Sequence, residues 1–179
     1  MRIPDTGQLF VFAIPECSPE DLAWIQDVRA RFDPAFAIVD PHFTLVFPAH
    51  PLSADELANH VREHTGYQDR FQVNLAGIEV WDPGRGDDIN ISLVPAAGFA
   101  EILELHDRLY TGILESSLRK DLPYKPHITV GRFEDAAAAN RVVEELRDAE
   151  IDFTAQMAEL TVANLNAGEL SIVDTIQLG

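Results

Sequence analysis

The sequence predicts an α+β fold: two pseudo-symmetric lobes, each a mostly antiparallel sheet facing a central cleft, with helices outside. Three observations predict it. The pattern Pro-His-apolar-Thr-apolar occurs twice, at Pro41-His42-Phe43-Thr44-Leu45 and Pro126-His127-Ile128-Thr129-Val130. The elements around the two copies repeat in one order: strand, helix, His-x-Thr strand, helix, strand. The chain has 179 residues with a 46% apolar share, which suits one domain with a real core.

In order, the apolar run Leu9 to Ile14 predicts the first strand. Ser18-Pro19-Glu20-Asp21 reads as an N-cap, a proline in the first turn and two acidic residues, opening a helix to Phe32. The first His-x-Thr strand follows. Ser53 with Glu56 forms a capping box before a helix over Ala54 to His64, and Phe71 to Trp81 predicts a strand. The turn-rich stretch Asp82 to Asp88 divides the single domain, residues 1–179, into approximate halves 8–83 and 88–179. The second half repeats the order with a strand at Ile89 to Val94 and a helix over Phe99 to Leu118. The second His-x-Thr strand leads to a helix over Asp135 to Asp148 and a strand over Ile151 to Val162. Asn166-Ala167-Gly168 predicts a hairpin turn between Glu159 to Leu165 and Glu169 to Gln177, which has no counterpart in the first half.

Within each motif, alternation is the mark of a half-buried strand. Residues two apart share a face, so His42 and Thr44 look one way and Phe43 and Leu45 the other; the second copy behaves alike. The histidines lie 85 residues apart, about half the chain. Facing strands would bring two imidazoles and two hydroxyls to one cleft, the means to take one proton and give another.

Composition narrows the partners. The formal net charge of −17 repels polyanions, so a broad groove for duplex nucleic acid is not expected. Yet Arg119, Lys120, Lys125 and Arg132 fall within fourteen residues opposed only by Asp121, a window of +3 around the second motif. Such a spot suits one phosphate or a short chain end. Arg119 and Lys120 also fit a plainer role, complementing a helix C-terminus. No apolar run is long enough to span a membrane. The N-terminus lacks the apolar stretch of a signal peptide. The single Cys17 excludes an internal disulfide. A cytoplasmic monomer is expected.

With these residues in view, the chain resembles the 2H phosphoesterase superfamily, and within it the RNA 2′,3′-cyclic phosphodiesterase and 2′-5′ RNA ligase family. The resemblance rests on His42-Phe43-Thr44-Leu45 followed by Phe47-Pro48, on His127 to Arg132, and on the opening strand Leu9 to Ile14. It implies a metal-independent phosphodiesterase without cofactor, acting on the 2′,3′-cyclic phosphate of a nucleotide or short RNA terminus, with reversible 2′-5′ ligation possible in the family. It implies catalytic roles for His42, His127, Thr44 and Thr129, and a phosphate contact for Arg132. Strict alternation turns Arg132 away from the cleft; a break at Gly131 would turn it in. Histidine suits both acid and base roles because its reference pKa lies near 6.5. Tyr124 and Lys125 border the second motif as further substrate-contact candidates. Phe10, Phe12 and Trp81 are candidates to stack a base.

Two other readings stay open: a nucleotide-binding module that keeps the fold without turnover, and a phosphodiesterase for a 2′-5′ linear or other small cyclic ester. Other motifs carry less. His60-Val61-Arg62-Glu63-His64 spells an inverted zinc-protease motif, but Leu57 and Val61 mark the buried stripe, leaving His60 and Glu63 in solvent without a third ligand. Arg85-Gly86-Asp87 reads as a turn, Cys17 as a packed thiol, and His50 and His106 as surface residues.

Overall fold

A computed structural model describes residues 7–48, 51–82 and 88–179. Pro83 to Asp87, the middle of the expected joint, and His50 lie outside the described residues. The described strands form a nine-stranded sheet with antiparallel pairs throughout. They are β1 (Gln8–Ala13), β2 (Glu16–Cys17), β3 (Phe43–Val46), β4 (Phe71–Trp81), β5 (Ile89–Ala97), β6 (Ile128–Phe133), β7 (Phe153–Met157), β8 (Glu159–Asn166) and β9 (Glu169–Gln177). The helices are α1 (Pro19–Phe32), α2 (Ala54–Thr65), α3 (Phe99–Leu109) and α4 (Ala136–Glu145).

Strand order is β2-β7-β4-β5-β6-β3-β1-β8-β9. The two His-x-Thr strands, β3 and β6, are therefore neighbours at the middle. One lobe runs outward from β3 through β1, β8 and β9; the other runs from β6 through β5, β4, β7 and β2. Each half contributes two strands to the opposite lobe: β2 and β4 join β7 and β5, while β8 joins β1 and carries β9. Helices cross over too, with α1 packing on β6 and α3 on β3. This exchange places strands from both halves in one continuous sheet.

Local chemistry sets the helix starts. Ser18 accepts from the Asp21 N–H, Ser53 and Glu56 close their capping box, and Asp135 accepts from Ala138. Phe43, Leu45, Ile128 and Val130 are fully buried, in one core with Ile25, Val28, Leu57, Ile102 and Leu105. Each such side chain contributes about 1.5–3 kcal/mol by leaving water. A smaller cluster of Phe10, Phe12 and Ala163 packs with Val39 and Leu170.

Three expectations needed correction. The helix expected over Phe99 to Leu118 stops at Leu109. Gly112 takes φ +55°, which ends any regular helix, and a 3-10 turn over Gly112–Ser117 follows. The strand expected over Ile151 to Val162 is two strands meeting at Ala158. Its first part pairs with β4 and its second with β1, at opposite ends of the sheet. The short β2 was not anticipated. The hairpin at Ala167-Gly168 forms as expected, both residues having positive φ.

Candidate active site

The seam between the lobes has one ladder pair, Phe43 with Ile128. Continuing that antiparallel register by one residue each way sets His42 across from Thr129 and His127 across from Thr44. The histidines thus occupy one diagonal of a four-residue patch and the threonines the other. With opposite residues about 5 Å apart and two-residue steps of about 7 Å, the histidine Cα atoms are separated by roughly 8–9 Å.

Both imidazoles are held in the same way. His42 Nδ1–H donates to the Asp40 carbonyl at 2.8 Å, and His127 Nδ1–H to the Lys125 carbonyl at 2.7 Å. In each case a proline separates the two residues, and the residue before a proline is kept extended. A carbonyl only accepts, so the bond fixes the tautomer and leaves Nε2 for the cleft. Phe12 packs at 5.1 Å from the His42 ring, and Trp81 sets an edge at 5.3 Å against His127. Burial lowers the pKa of both histidines below 6.5; the backbone bonds oppose that shift. Arg29 and Arg132 add to it at His42 while Asp33 opposes it, and Lys125 and Arg132 add to it at His127.

A β-bulge follows each threonine. Phe12 pairs with Thr44 and Val11 with Val46, so Leu45 is the extra residue in β3. Ser92 pairs with Thr129 and Ile91 with Gly131, so Val130 is the extra residue in β6. The bulges occupy equivalent positions in the repeat. Each resets the alternation, returning the third residue after the threonine to the threonine's face. That residue is Arg132 in one lobe and Phe47 in the other, and both line the cleft. At Gly131 an added Cβ would come within 3.0 Å of Phe32 and Phe133, so a side chain there is crowded.

The cleft encloses a cavity of about 450 Å³. His42, Thr44, His127, Thr129 and Arg132 all line it. Phe10, Phe47 and Trp81 supply aromatic walls, and Asp33 and Asn90 add polar ones. Beneath lies an ion pair that sequence patterning did not flag. Arg29, 1% exposed, bonds Asp33 through Nε at 2.9 Å and the Val39 carbonyl at 2.7 Å. Asp33 also accepts from Ala35 N–H and lies 3.6 Å from Arg132 Nε. The network ties the α1–β3 connection to the arginine of the second motif. Its only sequence signal is an i,i+4 Arg–Asp pair beside the buried Ile25 and Val28. Phe47 was likewise missed as a cleft residue; its signal is its position 85 residues before Arg132.

Other expected contacts lie elsewhere. Phe12, 1% exposed, supports His42 from below and presents no open face to a base. Tyr124 and Lys125 do not line this cavity; they border a neighbouring one that shares His127. Lys125 pairs with Glu79, and Arg119 with Asp121. Two histidines assigned to solvent are buried. His60 bonds the Leu109 carbonyl at 2.8 Å and stacks on His64, because α2 turns this side toward α3. His106 donates to the Leu45 carbonyl at 2.8 Å and stacks on Tyr124 at 3.7 Å. Cys17 is half-buried against the core, and burial pushes its thiol up to about 11, with Asp21 adding to the shift. Among the described residues, no three His, Cys, Asp or Glu side chains gather as metal ligands. Among those residues, no helix is long and apolar enough to cross a membrane.

A curled antiparallel sheet with two His-x-Thr strands at its seam defines the 2H phosphoesterase class. The family model of the 2′-5′ RNA ligase superfamily matches residues 16–169, and the chain belongs to that family. A Bacillus licheniformis protein provisionally named a phosphoesterase is 26% identical over 125 residues, covering 68% of this chain and 69% of its own. A similarly named Geobacillus protein is 26% identical over 155 residues, covering 84% and 86%. Among solved structures, Escherichia coli LigT with 3′-AMP superposes at a TM-score of 0.63 with 18% identity, covering 96% of this chain and 98% of its own. Kluyveromyces marxianus Usb1 superposes at 0.57 with 14% identity, covering 97% and 99%. These two likenesses establish the fold.

Proposed function

We propose that this chain is a metal-independent phosphodiesterase that opens the 2′,3′-cyclic phosphate of a nucleotide or short RNA terminus. The observation that carries the reading is the diagonal pair of imidazoles, each with Nδ1 tied to a backbone carbonyl and Nε2 left for the cleft. Family membership supports it, as does the nucleotide found in LigT crystals.

In the reaction, water attacks phosphorus as one neutral histidine takes its proton. The bond from phosphorus to one ribose oxygen breaks, and the second, protonated histidine gives that oxygen a proton. The product is a phosphomonoester beside a free hydroxyl. Each positioned proton transfer contributes about 10²–10⁴ in rate. Thr44 and Thr129 donate hydroxyl hydrogen bonds to the non-bridging oxygens, and Arg132 balances their charge. Replacing water by a ribose hydroxyl uses the same proton path and forms a linear diester.

Burial favours neutral imidazoles in the empty site, so the bound phosphate anion supplies the field that keeps one of them charged. The acidic surface favours short substrates over duplexes, and the chain acts as a monomer in the cytoplasm. The test is hydrolysis of 2′,3′-cyclic nucleotides, of an RNA with a cyclic end and of a 2′-5′ dinucleotide, each in the presence of a strong chelator. Activity that survives chelation is expected. Activity lost on chelation and restored by zinc refutes the two-histidine mechanism.

A further inference from the structure

The segment from Pro34 to Pro41 leads from α1 to His42, and its Asp40 carbonyl fixes the imidazole. It is thinly packed. Pro41 is buried, Ala35 and Val39 are half-buried, and Pro34, Phe36, Ala37, Ile38 and Asp40 are exposed. Turns inside it, Ile38 N–H and Val39 N–H to the Ala35 carbonyl at 2.9 and 3.2 Å, shape the segment without fastening it to α1.

Arg29 does the fastening. Its Nη2 donates to the Val39 carbonyl at 2.7 Å, one residue before Asp40. Its Nη1 donates to Gln26 Oε1 at 3.1 Å, and Gln26 Nε2 donates on to Asp40 Oδ1 at 3.0 Å. Its Nε donates to Asp33 Oδ2 at 2.9 Å, where the segment begins. Gln26, Arg29 and Asp33 stand three and four residues apart, on one side of α1. One planar fork, with its N–H directions fixed, thus grips both ends of the segment. A buried ion pair can often be replaced by apolar side chains with no loss of stability. No apolar side chain can hold a carbonyl and a carboxamide in place. The Lys125 carbonyl, which anchors His127, is placed by other groups: the adjoining Tyr124 donates its O–H to the Thr44 carbonyl at 2.9 Å and stacks on His106. The two imidazoles therefore have equivalent anchors held by different chemistry.

We propose that Arg29 is a positioning residue for His42: from inside α1 it sets the Asp40 carbonyl, through Val39 and through Gln26, and so fixes the tautomer and aim of that one imidazole. Its effect on rate rests on the phosphodiesterase reading above; its effect on the imidazole does not. With Asp40 placed, His42 keeps its proton on Nδ1 and turns Nε2 to the cleft. With Asp40 released, the ring is free to carry the proton on Nε2, where it can no longer accept one from the attacking oxygen.

The test reads both imidazoles in one molecule by nitrogen-15 NMR, with signals assigned through His42→Ala and His127→Ala. At about pH 8 both rings are neutral, since burial lowers each below its reference value of 6.5. In the wild type both carry the proton on Nδ1. The principal variant is Arg29→Met with Asp33→Asn, which removes both charges together and keeps an acceptor for the Ala35 N–H. It shifts His42 toward the Nε2–H form and leaves His127 unchanged. On 2′,3′-cyclic AMP its kcat falls roughly 10–100-fold while KM stays within about threefold, the pattern of a misplaced group rather than a lost contact. Arg29→Lys, which keeps the charge without the fork, recovers part of the loss. Gln26→Glu keeps an acceptor for Arg29 but puts an acceptor where Asp40 needs a donor; it shifts His42 the same way by less. Thermal melting checks folding, and if the double variant does not fold, Gln26→Glu decides alone. If the wild type turns over no phosphate ester, the phosphodiesterase reading fails and the tautomer comparison decides the role of Arg29. A folded variant whose His42 keeps its proton on Nδ1 overturns the proposal, as do equal changes at His42 and His127.

Discussion

Arg132 reaches the cleft only because β6 carries an extra residue at Val130. If it stabilises phosphoryl charge, its loss has a definite size. A hydrogen bond to a charged group contributes about 1.5–3 kcal/mol. The Arg132 side chain is 43% exposed, so solvent screening places it near the lower end. Arg132→Ala is therefore expected to cost about 1.5–2 kcal/mol of transition-state stabilisation, roughly 10–30-fold in kcat/KM. The fold should hardly notice. Asp33 keeps Arg29 and the Ala35 N–H as partners after Arg132 is gone, so stability falls by less than about 1 kcal/mol. Arg132→Lys restores charge without the planar fork and recovers part of the loss. Steady-state kinetics on 2′,3′-cyclic AMP, beside a denaturant melt, separate the two effects. Undiminished kcat/KM in Arg132→Ala refutes a role for this side chain in the chemistry. A melt that drops by several kcal/mol refutes the claim that Asp33 is held without it.

Two further outcomes follow from the histidine pair. His42→Ala and His127→Ala each remove most turnover, and the double variant is little worse, because two coupled transfers fail together. Thr44→Ala and Thr129→Ala cost less, about 1–3 kcal/mol each; a fully active His127→Ala contradicts the mechanism. For pH, burial lowers both histidine pKa values below 6.5 in the empty site. The singly protonated pair therefore populates below that value, and kcat/KM is bell-shaped with its maximum on the acid side of 6.5. Bound phosphate raises both pKa values, so the kcat profile moves to higher pH. The limbs belong to the pair. A rate that rises with pH without a falling limb rules out paired acid–base catalysis.

The periodicities that place side chains on faces were legible in the sequence. Alternation put His42 with Thr44 and His127 with Thr129, and caps at Ser18 and Ser53 marked two helix starts, whereas the cap at Asp135 was read as part of its helix. These signals are local, because a strand face or a helix cap is decided by a few neighbouring residues. The repeat added a longer-range constraint that predicted two related lobes. The sequence did not reveal that β4 and β8 exchange lobes, since pairing depends on which edges meet in space. It did not reveal that His60 and His106 are buried, because each is covered by a distant element: His60 by the end of α3, and His106 by β3 and Tyr124. The two bulges were decided by tertiary structure as well. An extra residue in a strand is defined only against its partner strand, and that partner determines whether Arg132 and Phe47 enter the cleft or leave it.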